Sequence, residues 1–297
     1  MPAETLALLA AACWAVGSIF SAKASSHMGA FAFTRWRLFF ALIVLWAVCL
    51  FNGQWRSLNT HATVLLIASG IVGIFVGDTA LFACMNRLGP RRCGVLFATH
   101  ALFSVALAGI FLGEALWGWA LLGSMLLVAG VMVAIVWGRR ADENHDWEQT
   151  RGRLRMGVAL GLIAALGQAV ATLMLKPLMG TGLDAVTASA VRVSAAFLAH
   201  ALLWAGGLRL AQLQNPLNRT VLWNTFASAA IAMAVGMTLI LAALRSGQAN
   251  LVGVFSSVTP VMLLPLLWLV YGRRPAWGAW VGAAIAVVGT GMVLLLK

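Results

Sequence analysis

Ten runs of about twenty apolar residues follow one another along this chain, separated by short turns. They span 4–24, 31–51, 62–86, 92–112, 117–137, 156–176, 184–206, 220–244, 248–271 and 277–296. At 1.5 Å of rise per residue, each run is long enough to cross a hydrocarbon layer about 30 Å thick as a helix. Turn signals lie between them: His27-Met28-Gly29, Asn52-Gly53, Leu88-Gly89-Pro90, Gly180-Thr181-Gly182, Asn215-Pro216 and Arg273-Arg274-Pro275. Membrane-barrel strands would run about ten residues with alternating polarity, and these runs show neither feature. The expected fold class is an all-α integral membrane protein with ten transmembrane helices.

Composition agrees. Only 9% of the 297 residues are charged and 62% are hydrophobic, with mean hydropathy +0.94; soluble domains carry about 25% charged residues. The net charge of +12 would suggest nucleic acid as partner in a soluble protein. Here the bases concentrate in turns, where Lys and Arg encode membrane topology, so the expected partner is the lipid bilayer. Nothing in the sequence points to an obligate protein partner. The N-terminus lacks the basic region of a cleaved signal peptide, so residues 4–24 read as a retained first span. Cys13, Cys49, Cys84 and Cys93 lie in or beside apolar runs at no metal-ligand or redox spacing. They read as small hydrophobes.

One polar stretch, 138–153, cannot sit in hydrocarbon, and five runs flank it on each side. Shifting the chain by about 153–159 residues matches its halves. Lys23 falls on Lys176, Arg37 on Arg192 and Arg87-Leu88-Gly89 on Arg245-Ser246-Gly247, while Gly113, Gly123 and Gly130 fall on Gly272, Gly282 and Gly289. Five helices per unit is an odd number, so the second unit enters the membrane inverted. The expected organisation is a first five-helix repeat at 1–138, a polar linker at 139–154 and an inverted five-helix repeat at 155–297. Glycines spaced four apart (73 and 77, 109 and 113, 157 and 161, 278 and 282) mark close helix packing. Trp55, Trp117, Trp119, Trp137, Trp277 and Trp280 fall at span ends, the interfacial belt, whereas Trp14 falls mid-span, where it can line an apolar cavity.

The chain resembles the EamA-type drug/metabolite transporters. The marks are Leu112-Gly113-Glu114 ending the fourth span, the spaced Gly123 and Gly130 of the fifth, and Thr259-Pro260 where the family places a proline in the fourth helix of a repeat. Within the family it looks most similar to exporters of amino acids, aromatic ones included. The resemblance implies a multi-pass protein of the bacterial inner membrane that moves a small-molecule substrate by alternating access. Leu102 stands where the first repeat would carry its proline, and Arg273 stands opposite Glu114. Small four-helix relatives carry protons on a glutamate eight residues before a lysine; counting back from Lys23 and Lys176 gives Ala15 and Gln168. The family usually keeps both termini in the cytoplasm. The Lys/Arg count favours the reverse, because only Arg56, Lys176, Arg245 and Lys297 fall on the side of the membrane opposite the basic seam.

Candidate site residues follow from polar groups inside the spans. Asp78 is the only carboxylate well inside one, and an intramembrane charge costs roughly 2.5–3.5 kcal/mol unless it meets a partner or a water-filled cavity. It reads as a proton or substrate-ammonium site, as half of a structural pair with Arg87 or another base, or as a protonated, hydrogen-bonded group. Arg87 is nine residues on, about 13 Å along a helix, and a poor intrahelical partner. His100 reads as a proton carrier or a packing residue, and is expected to face one cavity with Asp78. Arg37 and Arg192 can contact a substrate carboxylate, pair or snorkel. Lys23 and Lys176 read as snorkelling side chains. Gln168 and Thr172, four apart, share a helix face. Ser256, Ser257 and Thr259 precede Pro260, whose missing donor predicts a kink lined by hydroxyls and suited to gating.

No nucleophile triad, metal cluster, phosphate loop or dinucleotide fingerprint is present in the sequence. The expectation is therefore no enzyme, no cofactor and no metal. It is a gradient-driven transporter exporting amino acids or amphipathic metabolites, with protons as a possible coupling ion. An uncoupled facilitator or an exporter of drugs is the alternative. The central cavity is expected between spans 1, 3, 4, 6, 8 and 9.

Overall fold

The computed structural model describes residues 1–137, 153–271 and 276–295. The seam at 138–152, Gly272 and Arg273 lie outside the described residues, as does the glycine match at 272. Ten helices are long and apolar enough to span a membrane: α1 (Ala3–Met28), α2 (Ala30–Asn52), α3 (Thr60–Gly89), α4 (Arg92–Phe111), α5 (Gly118–Trp137), α6 (Leu154–Gly180), α7 (Ala185–Ala205), α8 (Arg219–Ser246), α9 (Ala249–Leu266) and α10 (Trp277–Leu295). They coincide with the ten apolar runs. The belt tryptophans, from Trp55 to Trp280, are all exposed.

Turn chemistry sets the helix ends. Gly89, at φ +81° and ψ 158°, breaks the chain between α3 and α4 in a region that favours glycine. Asn59 caps α3, Asp184 caps α7 and Asn218 caps α8, each side chain accepting from a first-turn amide. The Glu114 carboxylate serves α9 in the same way, accepting from the Ala249 amide at 2.6 Å. The Asn250 side chain returns a bond to the Glu114 carbonyl. The acidic residue that ends the first repeat's fourth span thus anchors the start of its counterpart in the second.

The inverted repeat is visible in the backbone. Both α3 and α8 carry π-helical stretches, Gly70–Asp78 and Ala229–Gly236, whose first residues are 159 apart. Both α4 and α9 are interrupted, at Thr99 (ψ −11°) and at Ser257 (ψ −8°) with Val258. The main helix contacts cross between repeats: α1 with α8 and its counterpart α6 with α3, then α2 with α7, α4 with α9 and α5 with α10.

Lipid supplies no hydrophobic drive between helices, so close backbone approach through small residues holds these pairs. A Cβ on Gly17 would strike Ala232, and one on Gly73 would strike Ala171, which is the same contact seen from each repeat. At α5–α10, Gly123 meets the Gly289 carbonyl and Gly130 meets the Gly282 carbonyl, so the two helices run antiparallel. Of the glycines that matched by offset in the sequence, Gly123, Gly130, Gly282 and Gly289 face each other across the pseudo-twofold, while Gly113 meets nothing within 4 Å.

Candidate functional site

A cavity of about 320 Å³ opens between the repeats. Spans α1, α3, α4, α6, α8 and α9 line it, as the sequence suggested, and α2 and α5 add Arg37, Ala134 and Ile135. Trp14, Asp78, His100, Gln168, Ser256, Ser257, Thr259 and Pro260 are all on its wall. Thr172 is not among the wall residues: its hydroxyl is buried and donates to the Gln168 carbonyl one turn back, at 2.8 Å. A threonine in an apolar helix satisfies itself this way when nothing polar faces it.

The polar centre of the wall is an ion pair. Arg37 Nη1 donates to Asp78 Oδ2 at 2.9 Å, with the two side chains 7% and 15% exposed. The guanidinium also lies over the Phe82 ring, 5.3 Å from its centroid, where the ring's negative face attracts it. Of the roles open to Asp78, pairing with a base is the one seen, and the base is Arg37 rather than Arg87. Asp78 ends the π-helical stretch of α3, and the neighbouring Thr79 hydroxyl lies 3.0 Å from Nε2 of buried His200 on α7. That contact fixes α3 against α7 beside the pair. His100, 2% exposed, begins the second half of α4 with its ring 5.0 Å from that of Phe97.

The hydroxyls of α9 on the cavity wall are occupied by their own backbone. Pro260 has no amide hydrogen, which frees the carbonyl of Ser256 four residues back. The Thr259 hydroxyl donates to that carbonyl at 2.9 Å. Ser256 and Ser257 donate to the Gly253 and Val254 carbonyls. The kink is therefore closed by side chains, and its hydroxyls present acceptor lone pairs to the cavity. On the remaining wall, Trp14 Nε1 donates to the Ala232 carbonyl inside the π-helical stretch of α8, at 3.1 Å, while Phe82, Met85, Phe97, Leu263 and Leu264 make the surface largely apolar. A small, mostly apolar pocket with a few convergent polar groups is how proteins hold small amphipathic molecules.

Sequence spacing hid three of these features. Arg37 and Asp78 are 41 residues apart on different helices. Met237, on the wall, occupies in α8 the place that Asp78 holds in α3, at the same offset of 159. Cys84 and Cys93 come into side-chain contact in one buried cluster, with Cys93 on the cavity wall.

The EamA-like transporter family model matches residues 1–136 and again 155–295. The chain belongs to the EamA-like transporter family. A membrane transporter of the drug/metabolite type is what that membership carries, in a multi-pass protein with two repeats of this domain. A protein of known crystal structure is similar in fold, with TM-score 0.80 and 18% sequence identity over 99% of this chain and 96% of the other. None of the curated proteins matches. In this EamA-like chain the Gly113-Glu114 mark has a physical role, because Gly113 turns the chain at φ +66° and Glu114 caps α9.

Proposed function

We propose that this EamA-like protein is a secondary transporter that exports amino acids and related amphipathic metabolites by alternating access, in the bacterial inner membrane. The observation that carries this reading is the cavity built jointly by both repeats, with the Arg37–Asp78 pair and the interrupted α4 and α9 all on its wall. Discontinuous helices at a repeat interface are where transporters of inverted-repeat design hold substrate. An ion pair facing an apolar pocket matches a zwitterion with an apolar side chain. In this reading the repeats, 1–138 and 155–297, are the moving units and 139–154 joins them.

Two groups on the wall, Asp78 and His100, are the candidates for proton coupling. The test is flux of labelled amino acids into proteoliposomes, with and without a pH gradient. Saturable flux that responds to the gradient supports the reading. Flux that ignores it makes the protein an uncoupled facilitator, and no flux of any amino acid sinks the substrate assignment.

A further inference from the structure

The two repeats place an arginine at the same point, but only one of them supplies its counter-charge. Arg37 on α2 pairs with Asp78 on α3. Its counterpart Arg192 on α7 is 2% exposed and meets Met237 on α8, the residue in Asp78's place; Nη1 lies 2.9 Å from the Met237 sulfur. A thioether is an uncharged, weak acceptor. Arg192 Nε is buried without a partner, and Nη2 lies against Gly73, where a Cβ would come within 3.2 Å. Among the described residues no carboxylate pairs with Arg192. Asp78 is within electrostatic reach of it but is already bonded to Arg37. The other described acids, Glu4, Glu114 and Asp184, stand at the first turn of α1, at the cap of α9 and at the cap of α7. Among the described residues three guanidinium groups are buried against one interior carboxylate: Arg35 gives its Nη1 to the Ala211 carbonyl, Arg37 holds Asp78, and Arg192 is left with the thioether. Burying a cation without a counter-ion is costly, and intramembrane charges of this kind mark substrate paths.

Met237 separates this cation from the cavity, whose wall it forms. Its side chain is unbranched and flexible, so it can swing aside without disturbing the helix.

We propose that the missing counter-ion is the substrate's own: a carboxylate entering the cavity displaces the Met237 thioether and binds Arg192. The ligand class is an amphipathic monocarboxylate, zwitterionic or anionic, and cationic amphiphiles are excluded by the net positive interior. This deepens the transport reading and rests on the cavity being the substrate site.

The test is binding to purified full-length protein of three probes that share a phenyl ring: 3-phenylpropionate, phenylalanine and 2-phenylethylamine. The two carboxylates are expected to bind at least about tenfold tighter than the amine. Met237→Asp supplies the counter-ion internally. It is expected to raise the melting temperature of the ligand-free protein and to weaken 3-phenylpropionate binding about tenfold more than Met237→Asn does. Arg192→Met, which removes the cation, is expected to abolish the preference for carboxylates and keeps the proposal testable should Met237→Asp fail to fold. Equal binding of all three probes, tighter binding of the amine, or no binding of any overturns the proposal, as do equal effects of Asp and Asn at 237. Amino-acid flux without the charge preference leaves the transport reading standing and removes this one; the preference without flux does the reverse.

Discussion

Replacing Asp78 with alanine tests the electrostatic core of the cavity most directly. The substitution leaves Arg37, whose side chain is 7% exposed, without its only charged partner among the described residues, and leaves Arg192 without the nearby negative charge. Removing one member of a buried pair typically costs about 3–5 kcal/mol, because the surviving charge stays desolvated and uncompensated. Asp78 is 15% exposed toward the cavity, so water entering there shields part of the orphaned charge, and the expected cost sits near the lower end, about 3 kcal/mol. The double variant Arg37→Met with Asp78→Ala removes the orphan together with its partner. It is expected to recover most of that loss, since replacing both members of a buried pair with apolar groups is often close to neutral. Denaturant unfolding of purified protein, followed by tryptophan fluorescence, reads both numbers. If Asp78→Ala stays within about 0.5 kcal/mol of the parent, or if the double variant is no more stable than the single one, Arg37 is not held by this pairing and the reasoning fails.

Three other expectations follow from contacts away from the pair. Glu114→Gln keeps an oxygen acceptor but loses its charge at the start of α9, and Glu114→Ala loses both. Thermal unfolding should rank parent above Gln above Ala, with Ala costing about 1–2 kcal/mol. Thr259→Val removes the hydroxyl that serves the Ser256 carbonyl and is expected to cost about 1 kcal/mol. In a Pro260→Ala background, where a backbone amide can reach that carbonyl, it should cost much less, and additive effects in the cycle would contradict the account of the kink. Gly130→Val forces a branched side chain against the α10 backbone at Gly282 and Ala286. A loss of about 1–3 kcal/mol is expected, with Gly53→Val, where a Cβ meets nothing within 4 Å but φ is +66°, as a comparison that isolates backbone strain from overpacking.

The fold was legible because a bilayer fixes the length of whatever crosses it, and the ten runs could be measured against that length. The repeat was legible because glycines such as Gly123 and Gly130 are held in place by backbone approach, which tolerates no substitute side chain and so keeps its spacing through divergence. The cavity was partly legible, since a polar residue inside a span must face something other than lipid. That argument reached Asp78, His100, Gln168 and the hydroxyls before Pro260. It failed for Thr172, which can satisfy itself within its own helix, a possibility that face-sharing with Gln168 does not reveal. It also failed for partners. Arg87 drew attention by proximity in sequence, while Arg37 reaches Asp78 only through tertiary packing, and nothing in local spacing announces that Met237 stands against Arg192. Cys84 and Cys93 read as small hydrophobes, and they do lie in an apolar cluster, but their contact was hidden for the same reason: a glycine-turned hairpin, rather than a motif, brings them together.

The π-helical stretches of α3 and α8 bear on which changes of length these spans can absorb. A π turn holds a residue more than an α turn needs, since its bonds run from i to i+5. Deleting one residue within 70–78 or 229–236 lets the ladder relax to ordinary α spacing, while the flanking segments keep their facing. The same deletion in the α-helical part of either span turns everything beyond it by about 100°, carrying polar wall residues toward lipid. These two spans therefore hold local slack in their register, placed beside Asp78 in one repeat and Met237 in the other.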